Sequence, residues 1–162
     1  LFITDANCVH ATDTRLKDRE TKLIRNILDN LRLGGNVLMP IDTAGRVLEL
    51  LLTLGRHWDA NRIGSYDLVF LAHMAHNTME FARSMLEWMA DLSGRRNNPF
   101  DFKHVNVCQS LQQLDALGTN PKVVLTTDAS LSAGMAKELL LRWGGDPKNL
   151  VLFTQRCVLC VT

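Results

Sequence analysis

The alternation of short apolar runs with longer helical segments constrains the fold of this chain more than any other feature. Two of the runs, Val123–Leu125 and Leu150–Phe153, are continuously apolar, as strands that are buried on both faces of a parallel sheet usually are. The segments between the runs carry apolar residues at the spacing of a helix with one buried face. The sequence therefore predicts an α/β fold with a mostly parallel, doubly wound sheet of about six strands and helices on both faces.

The whole chain, residues 1–162, is interpreted as one Rossmann-like domain, because its length suits a single core. The predicted strands are Leu1–Thr4, Val37–Ile41, Asp67–Ala72, His104–Cys108, Lys122–Thr126 and Leu150–Phe153. The predicted helices are Leu16–Leu33, Thr43–Trp58, a helix that begins at His73 or Asn77 and ends at Leu92, and Leu131–Trp143. The second helix is apolar nearly all round, so we expect it to be well buried.

Composition excludes some classes of protein. A net charge of +1 argues against a strong, self-sufficient nucleic-acid surface, although it allows RNA contact made jointly with a partner. Apolar runs fall well short of the ~20 residues that span a bilayer. The four cysteines, Cys8, Cys108, Cys157 and Cys160, are expected to be reduced thiols of a cytosolic or nuclear protein, since the chain is long and not rich in cysteine. Both ends of the chain adjoin apolar runs, so we expect it to be a piece of a longer protein.

The segment Asp42–Arg46, between the second strand and the second helix, breaks two local rules. Gly45 falls in the predicted first turn of the helix, where it costs roughly 1 kcal/mol relative to alanine. Arg46 places a positive charge at the positive end of the helix dipole. Because local rules tend to be broken where a site or a tight backbone contact requires it, these two residues mark a candidate site.

Other polar groups follow the predicted strands, where the sites of such sheets lie. Asp5, Asp13, Asp42 and Asp128 could perform acid–base work or bind metal, but aspartate is also a common cap and turn residue, and that interpretation is favoured. At the start of the last helix, Ser130 or Ser132 is expected to be a plain N-cap rather than part of a phosphate site.

Two further patterns are interpreted as ordinary surface or core features. His73 and His76, with Cys157 and Cys160, supply ligand types that zinc accepts, but their order and spacing do not fit a zinc finger. The basic loop tip at Arg95–Arg96 is expected to be a solvated turn. No Gly-x-Gly-x-x-Gly or Gly-Lys-Ser/Thr motif follows a strand, so neither a dinucleotide site nor a phosphate-binding loop is indicated.

Several segments together resemble the β-CASP domain, the insert that caps the metallo-β-lactamase fold in RNA-processing nucleases. They are Leu1–Asp5, Gly35–Leu50, Arg96–His104, Pro121–Leu125, Leu131–Trp143 and Asp146–Asn149. Within the family, the chain is most similar to the 100-kilodalton subunits of the cleavage and polyadenylation specificity factor. The similarity rests on the amino-acid sequences of three segments, Ile41–Glu49, Arg96–Phe100 and Asp146–Asn149.

The resemblance also implies what the chain lacks. Catalytic relatives tend to carry Glu-Ser-Thr where this chain has Asp5-Ala6-Asn7, a histidine near the position of Asp13, and Phe at Asp42. Asp5 is therefore a degenerate position of a family motif. The zinc ligands of the family lie outside this insert, so the resemblance implies no catalytic residue, no metal and no cofactor in this chain.

The function implied by the resemblance is that of a non-catalytic β-CASP module in a nuclear complex for pre-mRNA 3′-end cleavage and polyadenylation. The implied partners are the catalytic endonuclease subunit, a symplekin-type scaffold and pre-mRNA. The alternative is the β-CASP insert of an active zinc-dependent RNA endonuclease or exonuclease. A generic α/β domain that binds a small ligand is a third, less favoured hypothesis.

The resemblance leaves two interpretations of the candidate site. Gly45 is expected to let the helix start approach a neighbouring strand closely, and Arg46 to form an ion pair with Asp5, Asp42 or Glu49. The other interpretation is an RNA phosphate contact at Arg46, with Arg95 and Arg96 as further candidates. The ion pair is favoured, because a net charge near zero gives little steering toward RNA.

Overall fold

The computed structural model of the chain describes residues 16–86 and 98–154. Along the chain the elements are α1 (Leu16–Arg32), β1 (Val37–Pro40), α2 (Arg46–Asn61), β2 (Asp67–Leu71), α3 (Ala75–Ser84), β3 (Val105–Cys108), α4 (Leu111–Ala116), β4 (Lys122–Thr126), α5 (Gly134–Trp143) and β5 (Leu150–Val151). The strands form one sheet in the order β3-β2-β4-β1-β5. All four strand pairs are parallel, so the predicted α/β fold with a parallel sheet is confirmed.

The sheet has five strands within the described part of the chain rather than about six. The predicted strand at Leu1–Thr4 lies outside the described residues, so the sixth strand and the complete doubly wound connectivity stay predictions. The last strand, β5, ends at Val151 rather than at the predicted Phe153. The Leu152 amide still donates to the Leu38 carbonyl of β1 at 2.9 Å. None of the described helices is long and apolar enough to cross a membrane.

Helices cover both faces of the sheet, because successive strand residues point to opposite sides. On one face, strand residues such as Met39, Phe70 and Leu125 pack with buried residues of α1, α2 and α3. On the other face, Leu38, Val69 and Val124 pack with buried residues of α4 and α5. The first core includes Trp58 at the end of α2, which is fully buried and donates its indole N–H to the Tyr66 carbonyl at 3.1 Å.

The bounds of α1 agree with the prediction, but α2 and α5 each begin three residues later than predicted. In both cases the backbone before the helix adopts positive φ angles, which interrupt a right-handed helix. Gly45, directly before α2, has φ 69°, and Leu131, at the predicted start of α5, has φ 58°. The first residue of α5, Gly134, also has a positive φ of 72°. Both helices therefore begin only after the chain has passed through a left-handed turn.

Two other helices differ from the expectation. The short helix α4 was missed, since six residues give too little periodicity to detect. Its signal is Ser110, the N-cap, whose hydroxyl accepts a hydrogen bond from the Gln113 amide at 3.4 Å. The third predicted helix is observed as α3 up to Ser84, and its predicted continuation to Leu92 falls largely outside the described residues.

Two asparagines join three strands at the amino edge of the sheet. The Asn36 amide donates to Asn149 Oδ1 at 2.8 Å, and the Lys122 amide donates to Asn36 Oδ1 at 3.1 Å. The Asn149 side chain also donates to the Trp143 carbonyl at the end of α5, at 3.0 Å. These contacts fix the starts of β1, β4 and β5 relative to each other.

Candidate functional site

The loop between β1 and α2 lies at the carboxyl edge of the sheet, where the sequence placed its candidate site. Asp42 is exposed there. Gly45 is the N-cap residue of α2, with φ 69° and ψ −97°, and no side chain caps the helix. A Cβ added at Gly45 would meet no atom of the described residues within 4 Å. Among the described residues, no strand approaches Gly45 closely, and the backbone angles of Gly45 give a separate reason for a glycine at this position.

Arg46, the first residue of α2, forms an ion pair with Glu49 one turn later. The distance from Arg46 Nη1 to Glu49 Oε2 is 2.5 Å, and the side chains remain 41% and 66% exposed. The glutamate places a negative charge in the first turn of the helix, where it offsets the unfavourable position of the arginine on the dipole. Within the described part of the chain, Asp42 takes part in no such pair. Asp5 lies outside that part.

A cleft of about 480 Å³ opens beside this ion pair. Its walls are α1, α2 and the segment Leu152–Phe153–Thr154 that follows β5, and we refer to it as the arginine cleft. Three arginines line it, Arg19 from α1 and both Arg46 and Arg56 from α2. Of these, the sequence singled out Arg46 alone. The signal for Arg19 and Arg56 is weak, because each looks like one of many solvent-facing charges on an amphipathic helix.

The loop that follows β4 is organised by Asp128. Its carboxylate accepts hydrogen bonds from the Ser130 hydroxyl, from the Ser130 amide at 3.1 Å and from the Ser132 hydroxyl at 3.0 Å. These bonds, with that from the Ser130 hydroxyl the strongest contributor, lower the pKa of Asp128 below its usual value. Asp128 therefore acts as a turn former, with both of its oxygens directed to its own loop.

The expectation that Ser130 or Ser132 caps the last helix is wrong. The N-cap of α5 is Ala133, which makes no side-chain cap hydrogen bond. Both serines precede the N-cap residue. Their hydroxyls donate to the Asp128 carboxylate and not to the amides of the first helical turn. The α5 start is instead tied to β4 through the Ala136 amide, which donates to the Thr127 carbonyl at 2.9 Å.

Metal ligands do not converge within residues 16–86 and 98–154. No group of three or more His, Cys, Asp or Glu side chains there could hold a metal ion. His73 and His76 are exposed at the start of α3, whereas Cys157 and Cys160 lie outside the described residues. We therefore assign no metal chemistry to this part of the chain.

One buried thiol is present in the described core. Cys108, at the end of β3, is only 4% exposed. Burial raises the pKa of its thiol, and the nearby Lys122 partly offsets that effect. The residue is thus a packing residue of low reactivity. The remaining predicted site residues, Asp13, Arg95 and Arg96, fall outside the described residues.

Comparisons with known proteins agree with the likeness in the sequence motifs. Residues 47–159 match the Beta-Casp domain family. The chain is 42% identical over 161 residues to "Cleavage and polyadenylation specificity factor subunit 2" of Arabidopsis thaliana, and 40% identical over 163 residues to the probable subunit 2 of Drosophila melanogaster. It is 30% identical over 158 residues to "Endoribonuclease ysh1" of Schizosaccharomyces pombe. The predicted likeness to subunits of the cleavage and polyadenylation specificity factor is confirmed.

These matches cover nearly all of this chain but only a small part of each relative. They span 95–96% of this chain, but the chain spans only 22%, 22% and 21% of the three relatives. The similarity therefore concerns one region of much longer proteins.

Proposed function

The chain belongs to the β-CASP family, and on this premise we propose that it is a non-catalytic β-CASP module of a subunit that acts in pre-mRNA 3′-end cleavage and polyadenylation. The subunit pairs with the catalytic endonuclease subunit and with a symplekin-type scaffold. It works in the nucleus, and its contact with pre-mRNA is made within that complex.

One observation carries the proposal: the chain shares more residues with factor subunit 2 proteins than with endoribonucleases. Identity is 42% to the Arabidopsis thaliana subunit and 30% to the Schizosaccharomyces pombe endoribonuclease, over nearly the same length. Since both matches cover almost the whole chain, the difference reflects sequence rather than coverage. The contrast favours the subunit 2 branch over the nuclease branch.

The composition of the candidate site supports the non-catalytic role. At the β1–α2 loop, Arg46 neutralises Glu49, and Asp42 stands where catalytic relatives tend to carry Phe. We assign Gly45, Arg46 and Glu49 a structural role at the start of α2. Arg95 and Arg96 are kept as candidate RNA contacts, since a basic loop tip can bind phosphate when a partner completes the surface.

The decisive experiment determines which of the two subunits cleaves the transcript. The full-length protein that carries this chain is copurified with its catalytic partner and scaffold, once with a wild-type partner and once with a partner whose zinc ligands are replaced by alanine. The proposal predicts cleavage of a labelled transcript in the first complex and none in the second. Cleavage that persists in the second complex would assign the activity to this protein instead.

The alternative function is a β-CASP insert in an active zinc-dependent ribonuclease. It draws on the 30% identity to an endoribonuclease. The parent's flanking sequence discriminates the two, because an active enzyme needs a His-x-His-x-Asp-His motif upstream and histidine motifs downstream. Stoichiometric zinc in the purified full-length protein, measured by mass spectrometry, would favour the enzyme.

A further inference from the structure

We propose that the arginine cleft binds a short segment of single-stranded nucleic acid, with phosphates on Arg19 and Arg56 and a base stacked on Phe153. That the natural strand is RNA rests on the proposed function. The binding site itself follows from the side chains that line the cleft.

Two of the three arginines have guanidinium groups available for a ligand. Within residues 16–86 and 98–154, Arg19 takes part in no ion pair or side-chain hydrogen bond. Arg56 uses only its Nε, which donates to the Leu52 carbonyl at 3.0 Å. Among the described residues, both terminal nitrogens of Arg56 therefore have no bonding partner. Guanidinium groups match the bidentate geometry of a phosphate.

The aromatic component is Phe153, which lies two residues after the end of β5. Its side chain is 53% exposed and forms part of the wall of the cleft. Leu23 and Leu50 add apolar surface to the same cleft. Exposed aromatic rings between basic groups are how proteins bind single strands without reading their sequence, because every base offers a face for stacking.

The carboxylates of the cleft limit the expected affinity. Glu20 and Glu49 line it together with the three arginines, and Glu49 already neutralises Arg46. The net excess of positive charge is small, so long-range attraction is weak. Binding is therefore expected to depend on the local phosphate and stacking contacts, and to weaken steeply as salt rises.

The test measures binding of a fluorescent oligouridine of about 12 nucleotides to the 162-residue chain by anisotropy, at about 50 mM salt and upward. The variants are Phe153→Ala, Arg19→Ala and Arg56→Ala. The controls are Phe81→Ala, which removes another exposed phenylalanine on α3 (66% exposed), and Arg25→Ala, which removes an exposed arginine of α1 outside the cleft. Thermal melts establish that each variant is folded.

The expected result is a loss of about 5- to 100-fold in affinity for Phe153→Ala. Each arginine variant should weaken binding and reduce the salt slope by about 0.7, while both controls bind as wild type does. Phe153→Trp should retain or tighten binding, since it preserves a stacking face.

Three outcomes would overturn the proposal. They are no binding at low salt, equal losses in the cleft variants and the controls, and a Phe153→Ala variant that binds normally. An oligothymidine of equal length distinguishes the two kinds of strand: binding of DNA alone contradicts the assignment to RNA. None of these outcomes bears on assembly with the endonuclease subunit, so failure here leaves the proposed function to its own test.

Discussion

At Gly45 the backbone conformation, rather than the space around the residue, excludes other amino acids. The angles φ 69° and ψ −97° are strained for any residue with a Cβ, although a Cβ would collide with nothing among the described residues. Gly45→Ala is therefore expected to destabilise the fold by about 1–3 kcal/mol, as measured by urea unfolding. Gly64→Ala is the matched control, because it also has open space and lacks a positive φ. Equal stability of the two variants would contradict the conformational explanation.

The Arg46–Glu49 pair is expected to contribute little to the free energy of unfolding, although Arg46 was the arginine that the sequence singled out. Both side chains are well exposed, and exposed pairs at this helical spacing are worth less than about 1 kcal/mol. A double-mutant cycle of Arg46→Ala and Glu49→Ala, measured by urea unfolding, should give a coupling energy in that range that shrinks in high salt. A coupling of several kcal/mol would show that the pair is buried in solution.

The residues of the site could be predicted only in part. The unusual glycine and the arginine after it direct attention to the β1–α2 loop, because both break local rules of helix formation. The reason for the glycine could not be deduced, since a positive φ and a close contact call for the same residue. Phe153 was placed in a strand because it continues an apolar run. In the structure β5 ends at Val151, and Phe153 lines the arginine cleft.

Among the elements, the short strand β5 is held by side chains as well as by its backbone hydrogen bonds to β1. It pairs over two residues, and Asn149 bonds both the Asn36 amide and the Trp143 carbonyl. Asn149→Ala is expected to cost about 1–3 kcal/mol and to speed amide hydrogen exchange in β5. Asn61→Ala serves as the control, because the exposed Asn61 side chain bonds only within its own helix. Equal effects of the two substitutions would exclude this role of Asn149.

The loop between β4 and α5 should respond to acid. Because hydrogen bonds lower the pKa of Asp128 in the folded state, its contribution to stability is complete above the unfolded value and is lost as pH falls through the folded value. The Asp128→Asn variant should therefore be less stable than wild type at about pH 7, with a difference that narrows below about pH 4. Urea unfolding across this range measures it. A difference that stays constant in acid would rule out the carboxylate as the cause.

At the scale of elements, the strands were predictable and the helix starts were not. Runs such as Val123–Leu125 are apolar on both faces, and this pattern leaves little choice but a central parallel strand. The starts of α2 and α5 depend on local turns. In the second case Asp128 binds the two serines that would otherwise cap the helix. The periodicity of apolar residues does not reveal which group a serine hydroxyl will bond, so it cannot predict this competition.

For the whole molecule, the central proposal is that the chain forms a folded module that does not itself cut RNA. Two cores, one on each face of a parallel sheet, account for its stability. Within residues 16–86 and 98–154, no three His, Cys, Asp or Glu side chains converge on a possible metal site. The proposed non-catalytic role predicts that the chain alone cuts no RNA.

The most direct measurement is incubation of the purified chain with an end-labelled transcript and divalent zinc or manganese, followed by gel analysis. We predict an intact transcript at all protein concentrations, including those at which the oligouridine is bound. Scission that requires the metal and disappears in the Asp5→Ala variant would contradict the account, because it would locate a working nuclease within these residues.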